Sequence, residues 1–470
     1  MCVRGLPWRA DGLLGNNPSG VRSLSSLGFR PPPSVNGFKY YGKYGLPPLS
    51  SSLNMFSDSP EYIRRANTHF VPPTITIAEL HAAVPLHLFR KSTTKGLAYV
   101  LQDIFCAYFL YRLTPYIPLA PVVLRFPLWL AYWWCQGIVL AGWWCLAHEA
   151  GHGTISQYAW VNHIVGYFLH TAILAPYYAW RETHRKHHKA TMSVERDENY
   201  VPRTRSEYGL WDEREDERLG LLGDEEGLPG RRKGLDPHDV FEDAPLYILS
   251  RMLIMQAIGW QLYLLTDAMG NPRYPPGTNH FSPSSVLFKS YHRRQIITSN
   301  VGLCIVLTLL FWWASQTSIG HVGRVYGVPY ILANHWIVML TYLHHSDPTM
   351  PHYRSRTWTF VRGALATVDR PLLGWVGRVF LHNVSHDHVA HHLFSSIPFY
   401  NQPEVTKIIR PLLGNAYNYD TTNTFRALYR TFTQCCFIED DGDVVFYKNR
   451  DGKAARILAG EEVRPSKIIV

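Results

Sequence analysis

The feature that most constrains the fold of this 470-residue chain is a series of segments of predominantly apolar residues. Each has about the length of twenty residues that an α-helix needs to cross the hydrocarbon core of a bilayer. Only 17% of the residues are charged, against roughly 25% in an average soluble domain. The sequence therefore predicts an all-α membrane protein. The apolar segments are residues 97–119, 124–146, 161–180, 246–266, 296–314 and 325–343.

The distribution of basic residues limits how many of these segments cross the membrane. Loops rich in Lys and Arg stay on the cytosolic side, and a basic cluster at residues 289–294 directly precedes segment 296–314. If segment 246–266 crossed, that cluster would lie on the outer side. We therefore predict that 246–266 and 161–180 are interfacial and that the other four segments cross as two helical hairpins. Hydropathy alone would instead predict that all six segments cross the membrane.

The polar parts of the chain suggest its organisation. Thr76 and Glu79 have the spacing of a capping box at the start of a helix, and residues 444–447 read as a short strand. The basic N-terminus is interpreted as a cytosolic tail, with a transit peptide as the alternative. The predicted divisions are a flexible tail at 1–73, a membrane domain at 74–400 with a polar cytosolic insertion at 195–243, and a cytosolic closing segment at 401–470.

The net charge of +10 is compatible with a nucleic-acid partner or an anionic membrane face. The membrane is favoured, because no zinc-finger, RRM or basic-zipper pattern is found and the basic residues flank apolar segments. The seven cysteines are odd in number and lack C-x-x-C spacing. They therefore indicate a reduced, cytosol-facing protein rather than a disulfide framework.

Three histidine clusters carry the strongest chemical signal. Spacings of three and four residues place imidazoles on one helical face, and neutral imidazole binds Zn, Fe, Cu and Ni. The clusters hold more nitrogen ligands than one metal uses, which suggests two metal ions. They are His148 and His152; His184, His187 and His188; and His388, His391 and His392.

A competing hypothesis rests on the first cluster alone. The sequence His148-Glu149-Ala-Gly-His152 also satisfies the zinc-protease pattern H-E-x-x-H, in which the glutamate is the general base. A membrane zinc metalloprotease is therefore an alternative, but it leaves the other two clusters without a role.

The order and spacing of the clusters resemble the three histidine boxes of membrane fatty acid desaturases. The resemblance to plant and fungal oleate delta-12 (omega-6) desaturases extends to residues 341–353, 362–370 and 388–400, and to the tail from 427 to 447. It covers about residues 74–449. The N-terminal tail and the polar insertion are poorly matched.

The resemblance implies a four-helix membrane stem under a cytosolic helical cap that holds a diiron site. It implies dioxygen as co-substrate, electrons from NADH through cytochrome b5 and its reductase, and a membrane-phospholipid acyl substrate. Since the chain contains no His-Pro-Gly-Gly haem motif, the electron donor is expected to be a separate protein. The expected location is the endoplasmic reticulum, with the boxes and both termini cytosolic.

The resemblance also implies the ligand set. The eight histidines of the three boxes are carried over as metal ligands, and His345 is the ninth because it matches the family histidine before the third box. His344 stands where glutamine is usual. Glu149 and Asp387 are interpreted as acceptors for imidazole N–H groups.

Two departures from the family pattern leave the product open. Asp387 replaces the usual threonine before the third box, and the stretch His-Ser-Asp-Pro at 345–348 replaces a commoner His-Thr-His-Pro or His-Thr-Asp-Pro. The leading hypothesis is delta-12 desaturation of oleoyl to linoleoyl. An omega-3 desaturase, an acetylenase or a hydroxylase with the same diiron site is the alternative.

Overall fold

A computed structural model of the protein describes residues 56–208 and 244–460, which are mostly helical. The helices before residue 209 are α1 (Pro60–Ala66), α2 (Ile77–Ala83), α3 (Thr93–Leu113), α4 (Val122–His152), α5 (Ala159–Ala172), α6 (Tyr177–Ala190) and α7 (Arg205–Tyr208). Those that follow the gap are α8 (Pro245–Thr266), α9 (Arg293–Gln316), α10 (Ile319–Val322), α11 (Val328–His345), α12 (Phe360–Leu365), α13 (Gly374–Phe380), α14 (His388–Leu393), α15 (Gln402–Leu413) and α16 (Thr424–Gln434). Strands β1 (Pro351–Tyr353) and β2 (Val444–Phe446) pair antiparallel.

Long apolar helices build the stem. Helix α3 starts beside the segment that follows α4, since the hydroxyls of Thr93 and Ser156 are 2.7 Å apart. Close approach of these helices requires a glycine, because a Cβ on Gly142 of α4 would lie 2.6 Å from a carboxylate oxygen of Asp103 in α3. Asp103 is fully buried and lies 2.8 Å from His382, in the turn before the third cluster. The stem is thus joined to the polar cap by a buried ionisable pair.

Within the described residues, three helices are long and apolar enough to cross a membrane: Val122–His152, Pro245–Thr266 and Ser290–Gln316. The predicted interfacial segment 161–180 is broken into α5 and α6. Segment 246–266 was also predicted to be interfacial. It forms the continuous helix α8, which is one of the three helices long and apolar enough to cross a membrane. The membrane character of the chain agrees with the sequence, whereas the number of four crossings stays a prediction.

Two boundaries differ from the sequence expectation. The tail was predicted to be flexible as far as residue 73, but residues near its end form helix α1. In α1, the side chain of Arg65 is buried and donates a hydrogen bond to Thr349. Residues 195–208, assigned to the polar insertion, are part of the cap, where Asp197 and Asn199 are buried. Charged residues were interpreted there as solvated, but they are buried because they have hydrogen-bond partners. Residues 1–55 of the tail, residues 209–243 of the insertion and residues 461–470 lie outside the described residues.

The cap packs around the third cluster. A hydrophobic core of α2, α12, α14 and α15 buries Val389 and Ala390 of that cluster against Leu80, Val361 and Ile409. The predicted capping box is confirmed at the start of α2, where Thr76 and Glu79 exchange hydrogen bonds. The predicted strand is confirmed as β2. The cap therefore holds α14 rigidly above the end of the stem.

Candidate metal centre

Four helices bring the nine predicted histidines together. His148 and His152 lie one turn apart in the last turns of α4, and His345 ends α11. The second cluster lies in α6 and the third forms α14. Trp180 in the first turn of α6 is anchored in the hydrophobic core of the stem, and the three imidazoles follow on the same helix.

The first group consists of five histidines from all three clusters. One ring nitrogen of each lies within 4.8 Å of the others. His184 Nε2 is central, at 3.1 Å from His152 Nε2 and 3.0 Å from His188 Nε2. The group is His148, His152, His184, His188 and His391.

The second group lies beside the first. Ring nitrogens of His187, His345 and His392 are within 4.8 Å of one another, and His388 Nε2 is 3.0 Å from His345 Nε2. The rings of His188 and His392 stack with centroids 4.1 Å apart and so join the two groups. All nine predicted histidines therefore belong to one of two adjacent groups.

These groups suit metal ions. Two nitrogens that bind one ion at about 2.1 Å and at right angles lie about 3 Å apart, which matches the shortest contacts here. The buried Nε2 atoms of His391 and His392 have no hydrogen-bond partner among the described residues. A metal ion in each group would satisfy these nitrogens.

Burial also keeps the imidazoles in the form that binds metals. It lowers the pKa of His391 to about 3. It lowers the pKa of four further histidines well below the usual range, with neighbouring imidazoles adding to the effect; these are His184, His188, His388 and His392. Neutral imidazole presents the lone pair that a metal requires.

Two carboxylates face the outer nitrogens of these rings. Asp197 Oδ1 is 2.6 Å from His187 Nδ1, and Asp197 is itself fixed by backbone N–H groups, including that of Met192 at 2.7 Å. Glu149 Oε1 lies 3.1 Å from His148 Nδ1 and 3.5 Å from His391 Nδ1. Carboxylates in this position fix the tautomer and direct Nε2 towards a metal. Glu149 lies beside these rings, but its Oε1 accepts no hydrogen bond among the described residues, and its Oε2 accepts from the hydroxyl of Thr154 at 2.6 Å.

Aromatic rings pack against the histidines. Trp144 stacks on His148 with centroids 5.5 Å apart, and Trp180 stacks on His184 at 4.4 Å. Tyr200 lies parallel to His345 at 5.7 Å. These rings exclude water and restrict rotation of the imidazoles, which keeps their nitrogens directed into the two groups.

The interpretation of Asp387 as an imidazole acceptor was wrong. Its carboxylate accepts from Arg378 at 3.0 Å instead, because the side chain points away from the two groups at the start of α14. Burial raises the pKa of Asp387, although Arg378 opposes this effect. His344, in the position usually held by glutamine, donates through Nδ1 to the carbonyl of Val368 at 2.5 Å.

Sequence reasoning missed Asp197, Trp180 and Tyr200. Asp197 was concealed in a charged stretch, where the usual interpretation of a carboxylate is a solvated surface group. The only local signal is that it follows the second cluster by ten residues. Trp180 precedes His184 by one helical turn, which is a spacing that predicts contact.

The chain was compared with known proteins. A family model described as fatty acid desaturase matches residues 127–423. A Delta(12) fatty acid desaturase of Mortierella alpina is 39% identical over 85% of this chain and 96% of its own length. An omega-6 fatty acid desaturase, endoplasmic reticulum, of Brassica juncea is 37% identical over 80% of this chain and 92% of its own. An oleate hydroxylase of Claviceps purpurea is 34% identical over 85% of this chain and 87% of its own.

The resemblance inferred from the three histidine boxes is thus confirmed over most of the sequence. Membership of this family makes the chain an oxidoreductase and leaves no support for the metalloprotease hypothesis. The chain belongs to the fatty acid desaturase family.

Proposed function

We propose that this protein introduces the delta-12 double bond into oleoyl chains of membrane phospholipids and so forms linoleoyl chains. The observation that carries the proposal is the assembly of nine histidines, seven buried and two partly buried, into two adjacent groups. The regiochemistry is supported by the names of the relatives from Mortierella and Brassica.

Each histidine group is proposed to hold one iron ion. The first five histidines would bind one ion and the remaining four the other. All-nitrogen ligands suit a redox-active metal that meets oxygen, because thiolate ligands would be exposed to oxidation. The bound irons would supply the activation of dioxygen that removal of hydrogen from an unactivated methylene requires.

The overall reaction consumes dioxygen and two electrons. One CH2–CH2 unit, O2, two electrons and two protons give one CH=CH unit and two waters. A methylene has no useful acidity, so general acid–base catalysis alone cannot perform this step. The electrons are proposed to come from NADH through its reductase and cytochrome b5, as separate proteins.

The residues of the chain hold the ligands and keep water out. Asp197 orients the imidazole of His187, Glu149 lies close to His148 and His391, and Trp144 and Trp180 pack against His148 and His184. An acyl chain that approaches from the membrane would meet this aromatic layer before it meets the histidines. Exclusion of water from the site would favour reaction of the activated oxygen with the substrate over side reactions with solvent.

The membrane arrangement follows from the same proposal. The described N-terminal segment lies in the cap, where Arg65 contacts Thr349, and the closing segment lies there too, through Arg430 and Asp420. We propose that the cap is cytosolic, where the electron donor is found, and that the membrane is that of the endoplasmic reticulum. The proposed domain divisions remain 74–400 for the catalytic part and 401–470 for the closing segment.

A hydroxylase is the second candidate. The Claviceps relative named oleate hydroxylase covers the chain as fully as the desaturases do, and the same two groups would serve either reaction. Asp387 sits at the start of α14, next to His388 of the second group. We propose that this neighbourhood decides between the two products.

The product test uses yeast that makes no polyunsaturated fatty acids. The chain is expressed there, and double-bond positions are identified by gas chromatography with mass spectrometry. We expect a 9,12-diene that is absent from the His391→Ala variant. The matched control is His352→Ala, since His352 is equally buried but contacts Tyr447 instead of the two groups. A hydroxylated, acetylenic or omega-3 product would replace the delta-12 assignment.

A further inference from the structure

Residues 368–370 lie between the two stretches of chain that complete the second histidine group. One stretch ends α11 with His345, and the other is α14 with His388 and His392. The two stretches are far apart in the sequence, so noncovalent contacts must set the distance between their imidazoles. Residues 368–370, which we call the brace, belong to the family-like motif 362–370 for which the proposed function gives no role.

The brace holds the end of α11 by three contacts. The backbone N–H of Val368 donates to the carbonyl of His344 at 3.2 Å, and His344 Nδ1 donates back to the carbonyl of Val368. Arg370 Nε donates to the carbonyl of Leu343 at 2.8 Å. The carbonyls at the end of a helix have no partner within it, so these contacts satisfy orphaned groups next to His345.

Arg370 also fixes the chain that follows His345. Its Nη2 donates to Asp347 Oδ2 at 2.6 Å, and Nη1 donates to Asp420 Oδ2 at 2.6 Å. Arg370 and both carboxylates are almost fully buried. The rigid fork of a guanidinium reaches several acceptors in one fixed geometry, which a lysine ammonium does not reproduce.

The brace holds the third cluster from its other side. The backbone N–H of Val389 donates to Asp369 Oδ1 at 2.7 Å. The backbone N–H of Arg370 donates to the carbonyl of Ser385 at 3.0 Å, and Ser385 Oγ donates to the carbonyl of Arg370 at 2.5 Å. The first turn of α14 is therefore tied to the residues that hold His345.

We propose that Asp369 and Arg370 are positioning residues that set the separation between His345 and the imidazoles of α14, and so maintain the second histidine group. Neither residue is a member of either histidine group. The first group receives only His391 from this region, and its other four histidines come from α4 and α6. Loss of the brace should therefore weaken one metal site selectively. This inference rests on the proposed two-metal function.

The test is a titration of purified, metal-depleted full-length protein in detergent with Co²⁺, followed by its visible absorption. The wild-type protein is expected to bind two ions per chain. Arg370→Gln should retain one ion and bind the second at least tenfold more weakly, which is the scale of loss when outer partners of metal ligands are removed. Arg370→Lys should not restore the second site.

Arg430→Gln is the matched control. Arg430 is as buried as Arg370 and shares its partner Asp420, but it reaches Asp347 only at 3.5 Å, pairs with Asp58 as well, and does not donate to the carbonyl of Leu343 as Arg370 does. It should lower the thermal unfolding midpoint while both ions bind. If Arg370→Gln does not fold, Ser385→Ala replaces it, and the second ion should again be the weakened one.

The outcomes separate the two proposals. Wild-type protein that binds only one ion contradicts the two-metal function itself. Two ions of unchanged affinity in the folded Arg370→Gln or Ser385→Ala protein overturn the positioning role alone. Equal weakening of both ions also overturns it, because that result indicates a general loss of structure.

Discussion

The carboxylate of Asp197 lies 2.6 Å from Nδ1 of His187, ten residues earlier in the chain. Both side chains are almost fully buried, and backbone N–H groups of Glu198 and Asn199 also donate to the same carboxylate oxygen. The contact leaves Nε2 of His187 free to face His345 and His392. A residue from a charged stretch thus directs one member of the second group.

Replacing Asp197 should weaken metal binding. Asp197→Asn removes the negative charge that fixes the His187 tautomer, so the affinity of the second group is expected to fall by roughly 10- to 100-fold. Competition with a chromophoric chelator measures the loss. Glu195→Gln, in which the altered carboxylate is partly exposed and accepts from the hydroxyl of Ser355, should leave the affinity unchanged. An equal effect of the two variants would refute the role of Asp197.

The two adjacent histidines at the end of α11 should behave differently. His345→Ala removes a member of the second group, so we expect loss of one metal ion and of the fatty acid product. His344→Gln should retain both ions, because a glutamine amide can also donate to the carbonyl of Val368. Metal analysis of both purified variants checks this. Loss of an ion in His344→Gln alone would show that the ninth ligand is misassigned.

Gly363 is a position where packing around the site can be tested. A Cβ there would lie 2.2 Å from the backbone carbonyl of Thr191, whose hydroxyl lies 3.2 Å from His392 Nδ1. Gly363→Ala should destabilise the fold by about 1–3 kcal/mol, as overpacking usually does. Gly323→Ala meets open space and should be neutral or mildly stabilising. Thermal unfolding midpoints in detergent give the comparison, and equal midpoints would contradict the described packing.

Asp267 makes stability depend on pH near neutrality. Burial, with help from Glu198, raises its pKa to about 7 in the folded protein. The folded state therefore binds more protons than the unfolded state between the unfolded pKa, about 4, and pH 7, so stability falls as pH rises through that window. Asp267→Asn should raise the unfolding midpoint more at pH 8 than at pH 5. A gain of equal size at both pH values would contradict this shift.

The histidine clusters that meet at the candidate site were recognisable because each cluster is local in the sequence. Spacings of three and four residues reveal a shared helical face without any knowledge of the fold. Their division into two groups was not predictable, because His391 joins the first group while His388 and His392 join the second. That division depends on how α14 is rotated against α4 and α11, which long-range packing decides.

The fold was predictable where one property dominates. Long apolar runs gave the stem helices, and the capping box gave the start of α2. Buried charges were the main source of error. Arg65 and Asp197 were assigned to solvated segments because a charged residue alone favours the surface, and their buried partners, Thr349 and His187, lie elsewhere in the sequence.

The metal content of the purified full-length protein tests the central claim most directly. Inductively coupled plasma mass spectrometry should give two iron atoms per chain, since the two histidine groups are complete and adjacent. His187→Ala should lower the value to one, because it removes a member of the second group only. One zinc atom per chain that is unaffected by His187→Ala would contradict the two-metal account.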